Sequence, residues 1–372
     1  MRILAETSPG EVRIAVVDGT GMLVDFAIWR PGRPDGVGDL HRGRVIARVP
    51  ALGGAFVALA DAEGFLPDRE GGSGLPAGTM VAVRITRAAQ GGKGPRLSAK
   101  LTENEKTLAA AASGPPALLA RGPNPLERLA ARYPEAEVWV DSAGLLAALR
   151  PLLGPRLGLR APVFDDALAS EIEALGSPSL ALPGGMRAHI YPTPALTAID
   201  VDTASASDAR GEKGFAQEML NAQAIPELAR QIRLRNLGGP IVVDFAGMAT
   251  KRRMRLGPAL AAALASDPMR PRFLGFSALG LAEIVRPRTH PPLHELLAGP
   301  HATGLAALRE AIAGSRGAGY GAMTLYAAPA VVSALESDPV ALTEFVTRGG
   351  GRLVLVSDPS LAPEGWRLQE NA

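Results

Sequence analysis

The stretch TPALTAIDVDTAS, residues 193–205, poses the central question of this chain: why two aspartates stand in an otherwise apolar run. Its alternation is that of a strand with one buried face, because successive side chains on a strand point to opposite sides. Ile199, Val201 and Thr203 then share one face, and Leu196, Ala198, Asp200 and Asp202 share the other. Two carboxylates sit on one side of one strand with Cα atoms about 6.5 Å apart. Next, FAQEMLNAQAIPELARQIRLRNLGG (215–239) reads as a helix, with Pro226 suited to a first helical turn, Leu228, Ile232 and Arg235 along one stripe, and Gly238 as the stop. PIVVDFAGM (240–248) is a second short strand, burying Ile241, Val243 and Phe245 and presenting Asp244 on the opposite face.

Strand, helix, strand, with acids projecting from both strands, is a plausible metal site. Clustered carboxylates repel one another, and a cation is the economical reason to gather them. Hard oxygen donors, in a chain with no cysteine and no histidine close in sequence, favour Mg²⁺ or Mn²⁺ over zinc. Arg233 and Arg235 precede the second strand, while Lys251, Arg252, Arg253 and Arg255 follow it, so that cations bracket the acids as phosphoryl chemistry requires. The plainer alternative is that Asp200 and Asp202 end an edge strand and the basic run is a solvated helix face. Spacing leaves both open. His290 and His294 have a spacing that suits a metal only on a helix, and Pro291 and Pro292 argue for a loop there. His41 and His189 read as structural or exposed.

Upstream, EVRIAVVDGTGMLVDFAIWR (11–30) has the pattern of a β-hairpin turning at Asp18–Gly21, and PGRPDGVGDL (31–40) reads as a linker. Between His41 and Lys100, five short strand-like runs separated by turn residues suggest a small closed barrel of the OB type. In GAFVALA (54–60), Ala55, Val57 and Leu59 point inward and Phe56 outward. Phe65 lies in the next strand, and Lys93 and Arg96 flank the loop into the last one. Exposed rings beside cations suit single-stranded nucleic acid, since bases stack on rings while cations meet phosphates. Phe56 and Phe65 packing under a loop is the alternative. Residues 109–132 hold a helix or two; AEVWVD (136–141) and LGLRA (157–161) read as strands around a helix at 142–153, with another helix at 165–175.

The composition fits a soluble multidomain globular protein: 372 residues, 47% hydrophobic, 20% charged. A pI of about 9.1 and the preference for Arg over Lys suit phosphate contacts, although a coding bias explains them equally well. The absence of cysteine excludes disulfides, thiolate nucleophiles and Cys-built zinc sites. The opening ten residues lack the pattern of a leader and no apolar run approaches a membrane span, which leads us to expect a cytoplasmic protein without membrane contact.

LTAIDVDTASAS (196–207), NAQAIPELARQIRLRNLGGPIVVDFAGM (221–248) and FSALGLAEIVRPR (276–288), in this order, resemble the catalytic core of the ribonuclease E/G family of bacterial endoribonucleases. HRGRVIARVPALGGAFVALADAEGFLP (41–67) is similar to that family's RNA-binding barrel. The resemblance implies an α+β multidomain fold: a ribonuclease H-like region in two parts (1–36 and 135–187), an inserted OB-fold barrel (37–101), a reduced 5′-sensor or linker segment (102–134), a deoxyribonuclease I-like catalytic region (188–300) and a small C-terminal α/β domain (301–372). The implied activity is Mg²⁺-dependent cleavage of single-stranded RNA that leaves a 5′-phosphate. Asp200 and Asp244 match the family's metal-binding aspartates, and Asp202 stands where the family usually has an Asn that helps orient the scissile phosphate. Phe56, Phe65 and Lys93 match RNA-contacting positions of the barrel. Arg96, Arg233, Arg235, Lys251 and Arg252 complete the expected RNA contacts.

The departures are as informative. Ser205 replaces a common Arg, for which Arg210, Lys213 or the 251–255 cluster could compensate. The 5′-sensor segment with its Arg-Thr pair is missing, LLARGPNP (118–125) being a faint remnant. The paired cysteines of the family's zinc link are gone, so a homodimer would use another surface. The C-terminal segment resembles that of the shorter, G-type members. Three functions follow: an active endoribonuclease, a catalytically weakened RNA-binding adaptor or regulator of RNA decay, or a metal enzyme acting on another phosphodiester or phosphomonoester.

Overall fold

The computed structural model describes residues 1–203, 213–315 and 322–371, and it divides into two compact units. One comprises Met1–Pro34, Asn124–Ser177 and Leu293–Ala372; the other comprises Asp35–Pro123 and Pro178–Pro292. Ser205 and Arg210 lie outside the described residues.

The first unit opens with a meander of β1 (Arg2–Ser8), β2 (Glu11–Val17) and β3 (Leu23–Trp29). The hairpin read from the sequence is β2–β3, and Asp18 Oδ1 fixes its turn by accepting from Thr20 N at 2.8 Å. Strand β1 precedes it, with Ile3, Leu4 and Ala5 all buried.

The second unit begins with β4 (Leu40–Val49), β5 (Gly54–Ala58), β6 (Glu63–Pro67), β7 (Met80–Arg87) and β8 (Arg96–Ser98). Their order is β5-β6-β8-β7-β4, and an additional β4–β5 pairing closes the five strands into an OB-like barrel. Val45, Ala55, Val57, Leu59, Leu66, Val83, Ile85 and Leu97 fill it. Helix α1 (Glu103–Ala111) follows, capped by Thr102 and Glu105. The Pro- and Gly-rich segment after it also supplies a short strand, β9 (Ala117–Ala120), which adds to the free edge of β4.

The chain returns to the first unit with α2 (Pro125–Arg132), β10 (Glu137–Val140), α3 (Ala143–Leu153), β11 (Leu157–Leu159) and α4 (Asp166–Ala174). Strand β10 runs parallel to both β1 and β11, giving the order β11-β10-β1-β2-β3.

A six-stranded sheet completes the second unit, from β12 (Ser179–Ala181), β13 (Met186–Pro192), β14 (Thr197–Thr203), β15 (Gly239–Asp244), β16 (Arg272–Phe276) and β17 (Ala282–Arg286) in the order β12-β13-β14-β15-β17-β16. Helix α5 (Lys213–Leu234) makes the crossover between parallel β14 and β15. It is one helix of 22 residues with Pro226 in its interior, which corrects the first-turn placement. Proline there forgoes one backbone donor, and Ala224, Ile225, Leu228, Ala229 and Ile232 outweigh that by burying a full face against the sheet. Helices α6 (Thr250–Arg253) and α7 (Gly257–Leu264) follow β15.

The C-terminal part of the first unit contains α8 (Leu293–Leu296), α9 (Gly299–Ser315), β18 (Ala322–Ala327), α10 (Pro329–Glu336), α11 (Pro339–Phe345), β19 (Leu353–Ser357) and β20 (Trp366–Asn371), with sheet order β19-β18-β20. His294 sits in the one-turn α8 rather than a loop, since prolines 291 and 292 precede the turn and do not interrupt it. The buried Glu11 meets Arg30 at 2.9 Å, Arg309 at 3.0 Å and Arg13 at 3.4 Å, joining β2, the segment after β3, and α9. Among the described residues no helix is long and apolar enough to cross a membrane.

Candidate functional site

Strand β14 buries Ile199 and Val201 and exposes Asp200 and Asp202, as its alternation requires. Parallel pairing sets Asp200 directly opposite Asp244, so the two carboxylates share one end of the sheet on strands about 4.8 Å apart. The hairpin from β13 to β14 turns at Thr193–Leu196, where Thr193 N donates to Leu196 O at 2.9 Å. Counting outward from this turn pairs His189 with Asp200 and Arg187 with Asp202. Directly opposed residues project to the same side of an antiparallel pair. The acidic face therefore carries a histidine and an arginine that their distance in sequence concealed.

Partial burial, with Asp202 and Asp244 nearby, pushes the carboxyl of Asp200 above its ordinary range, while His189 works in the other direction. Asp244 has a dedicated cation: Arg253 Nη1 bonds its Oδ1, and the same guanidinium donates to Met248 O at 2.9 Å and Gly280 O at 3.1 Å. Arg253 belongs to the basic run 251–255, but its neighbours Lys251 and Arg252 are exposed and Arg253 turns inward. A one-turn helix sends successive side chains about 100° apart, so only one of three adjacent cations can face Asp244.

The loop leaving β15 is held from below. Asn221 of α5 is fully buried, and its Nδ2 donates to Ala246 O at 3.0 Å and to Gln217 O at 2.8 Å. Gly247, with φ of +58°, supplies the left-handed turn that follows.

Two expected contacts move away from this face. Helix α5 runs back along the sheet, so Arg233 and Arg235 stand near the start of β15, about 17 Å of strand from Asp244. Arg235 is 6% exposed and its Nε donates to Gln231 Oε1 at 2.9 Å. It is a packed side chain rather than a phosphate contact. The expectation that cations bracket the acids through these two residues is corrected; Arg253 and Arg187 take that place.

On the barrel, Phe56 and Phe65 stand opposite each other on β5 and β6, half-buried, with ring centroids 5.5 Å apart in an edge-to-face arrangement. Arg96 pairs with Phe65 across β6–β8, and Lys93 is exposed in the β7–β8 hairpin.

Two carboxylates in register, one half-exposed, match a small hard cation that uses one or two protein carboxylates and retains water. Among the described residues no group of three or more His, Cys, Asp or Glu converges in a way that would suit a metal held entirely by protein.

Residues 148–289 match the model of the ribonuclease E/G family. Ribonuclease E of Nostoc sp. is 39% identical over 142 residues, covering 37% of this chain and 20% of that protein. Ribonuclease G of Escherichia coli is 34% identical over 142 residues, covering 37% of this chain and 28% of its own length. Ribonuclease E of Escherichia coli is 28% identical over 399 aligned residues, covering 79% of this chain and 37% of that protein. The chain thus spans between 20% and 37% of the length of these curated relatives. The matched region encloses Asp200, the crossover helix and Asp244, and over it the chain is similar to the ribonuclease E/G family.

Proposed function

We propose that this chain cleaves single-stranded RNA endonucleolytically, by phosphodiester hydrolysis that depends on Mg²⁺, with Mn²⁺ as a substitute, in RNA processing and decay. The observation that carries the reading is the register pairing of Asp200 with Asp244 on the exposed end of the catalytic sheet. In this reading the sheet belongs to a deoxyribonuclease I-like region, and the sheet containing β1 and β10 to a ribonuclease H-like region. The setting would be cytoplasmic, and a homodimer would form without a zinc link.

Asp200 and Asp244 would hold the cation, which supplies Lewis-acid polarisation of a phosphoryl oxygen. Arg187 beside Asp202 provides the cation that Ser205 does not, and steadies the phosphate that Asp202 alone would repel. His189 lies next to Asp200, where an imidazole can donate or accept a hydrogen bond. Exposed Lys251 and Arg252 meet backbone phosphates, while Phe56 and Phe65 stack bases on the barrel beside Lys93 and Arg96.

The Arg253–Asp244 ion pair favours one second reading, a catalytically weakened relative that binds RNA as an adaptor or regulator. The cation bonded to Asp244 competes with a metal for the same oxygen. Cleavage of a labelled single-stranded RNA in Mg²⁺ or EDTA, by wild type, Asp200→Ala and Asp244→Ala, separates the two. Mg²⁺-dependent cutting lost in both variants is expected. RNA binding without cutting by the wild type would replace the nuclease with the adaptor, and unimpaired cutting by Asp244→Ala would overturn the site.

A further inference from the structure

A second cationic group stands apart from the acids. Arg87 ends β7, and across the β7–β8 pairing it faces Arg96. The next residue, Ala88, donates its backbone N–H to Thr289 O at 2.8 Å, which brings Arg288, just past β17, to the same edge of the barrel. Arg288 is anchored there by Nε donating to Gly238 O at 3.0 Å. None of the three arginines has a carboxylate partner among the described residues, whereas Arg48, Arg84 and Arg121 of the same unit each have one. Arg87 is half-buried, and its Nε is shielded from water with nothing to donate to. Burial, together with Arg96 and Arg288, makes its guanidinium easier to deprotonate than usual.

Three like charges gathered without a counter-charge among the described residues, one with a buried idle donor, raise the free energy of the folded protein. An oxyanion with several acceptor oxygens reverses each of those costs, and guanidinium groups match it through their planar forks.

We propose that Arg87, Arg96 and Arg288 form a phosphate-binding subsite that takes a backbone phosphodiester of the RNA next to the base stacked on Phe65. The proposal rests on the single-stranded-RNA reading above. Because Arg96 is paired with both Phe65 and Arg87, the ring and the phosphate subsite are adjacent on one barrel edge. Arg288 comes from the end of β17 that pairs with Gly239, so the subsite lies at the opposite end of β15 from Asp244. RNA held there touches the protein several nucleotides from the acidic face, and the contact acts on binding rather than on the chemical step.

The test is binding of a fluorescently labelled single-stranded RNA in EDTA, followed by anisotropy across a salt series, for wild type, Arg87→Gln and Arg87→Lys. Among the described residues the Arg87 side chain makes no hydrogen bond that its loss would leave broken, so Arg87→Gln is expected to melt no lower than wild type. It should bind RNA about tenfold more weakly and lower the salt slope by about 0.7, the value for one single-strand phosphate contact. Arg87→Lys should recover the slope. Wild type that binds RNA, with an unchanged slope in Arg87→Gln, would overturn the subsite and leave the nuclease reading intact. Wild type that binds no RNA would overturn both. An Arg87-dependent rise in melting temperature with inorganic phosphate, without an effect on RNA binding, would reassign the subsite to a free phosphate and overturn the RNA contact.

Discussion

Replacing Asp200 by Asn should make the protein more stable at neutral pH while abolishing cleavage. Asp200 stands in register with Asp244 and two residues from Asp202 on the same face. At separations of about 5–6 Å near water, each like-charge pair costs about 0.5–1.5 kcal/mol. Arg253 cancels much of the Asp244 contribution, and exposure screens the rest, leaving a net gain of about 1 kcal/mol for the variant. That corresponds to about 2 °C in melting temperature for the unit concerned. The pH dependence has a definite sign. Because the folded-state pKa of Asp200 is raised, the unfolded chain releases this proton first as pH climbs. Wild type therefore loses this stability as pH rises from the ordinary carboxylate range through the raised value, and the advantage of Asp200→Asn should vanish in acid. On the proposed metal site Mg²⁺ should reverse the order, since it would stabilise the wild type by mass action and would find one of its two carboxylates missing in the variant. Thermal melts of both proteins at pH 7.5 and 4.5, with Mg²⁺ or EDTA, provide the comparison. An Asp200→Asn protein less stable than wild type in EDTA at pH 7.5, or a gain unchanged in acid, would refute the account of Asp200 as a repelled carboxylate awaiting a cation.

Arg253→Gln should reduce cleavage and lower stability by about 1–3 kcal/mol, because Met248 O and Gly280 O lose their donor, while the Mg²⁺ concentration for half-maximal activity falls as Asp244 is released; an Mg²⁺ titration of initial rates reads this directly. Glu11→Gln should cost about 3–5 kcal/mol in urea unfolding of its unit, since Arg30 and Arg309 are left without the buried carboxylate they share. Burial alone would raise the Glu11 carboxyl, but Arg30, Arg309 and Arg13 hold it below the ordinary range, so the wild type's advantage is present at neutral pH and lost as pH falls. His41→Phe should stabilise the barrel by about 1–2 kcal/mol, because both ring nitrogens of this 8%-exposed side chain lack hydrogen-bond partners among the described residues. Burial depresses the His41 pKa, so wild type loses stability as pH drops below about 6.5, and melts from pH 7.5 to 5 should show a smaller decline in the variant.

The parts of this protein that the sequence made legible are those governed by local periodicity. Alternation alone placed Ile199 and Val201 inside and Asp200 and Asp202 outside, and it did the same for Val57 and Phe56 on the barrel. Five strands broken by turn residues identified the barrel, because in so short a segment few other arrangements bury Val45, Leu66 and Leu97 together. What stayed hidden depends on pairing or on how a helix runs through space. His189 became a neighbour of Asp200 only through hairpin register, a signal available from the turn at 193–196. Arg253 is one of several adjacent cations, and no local pattern shows which of them turns towards Asp244. Arg235 was misjudged because a cation at the end of an amphipathic helix was read by charge, although the stripe shared with Leu228 and Ile232 already pointed it inward. Pro226 was assigned by its usual helix position, and tertiary burial overrode that preference.

The interleaving of the two units has a consequence for how the chain becomes organised during synthesis. Strand β1 emerges early, but its parallel partner β10 arrives only after the whole barrel has been made, Ile3 pairing with Val138. Until then one edge of the β1–β3 meander offers unpaired backbone groups to any other chain, a route to aggregation. The barrel's strands need no pairing partner from later in sequence, since all of them lie within residues 35–123. Its own ends are drawn together as Asp39 Oδ1 accepts from Gly122 N at 2.7 Å and Arg121 bonds Asp39 Oδ2 at 2.7 Å. Once closed, it shortens the effective loop between β1 and β10 about threefold, a saving of about 1 kcal/mol in chain entropy. The inserted barrel would then also serve as a clasp for the first sheet, and mutations that slow its closure should appear as insoluble protein.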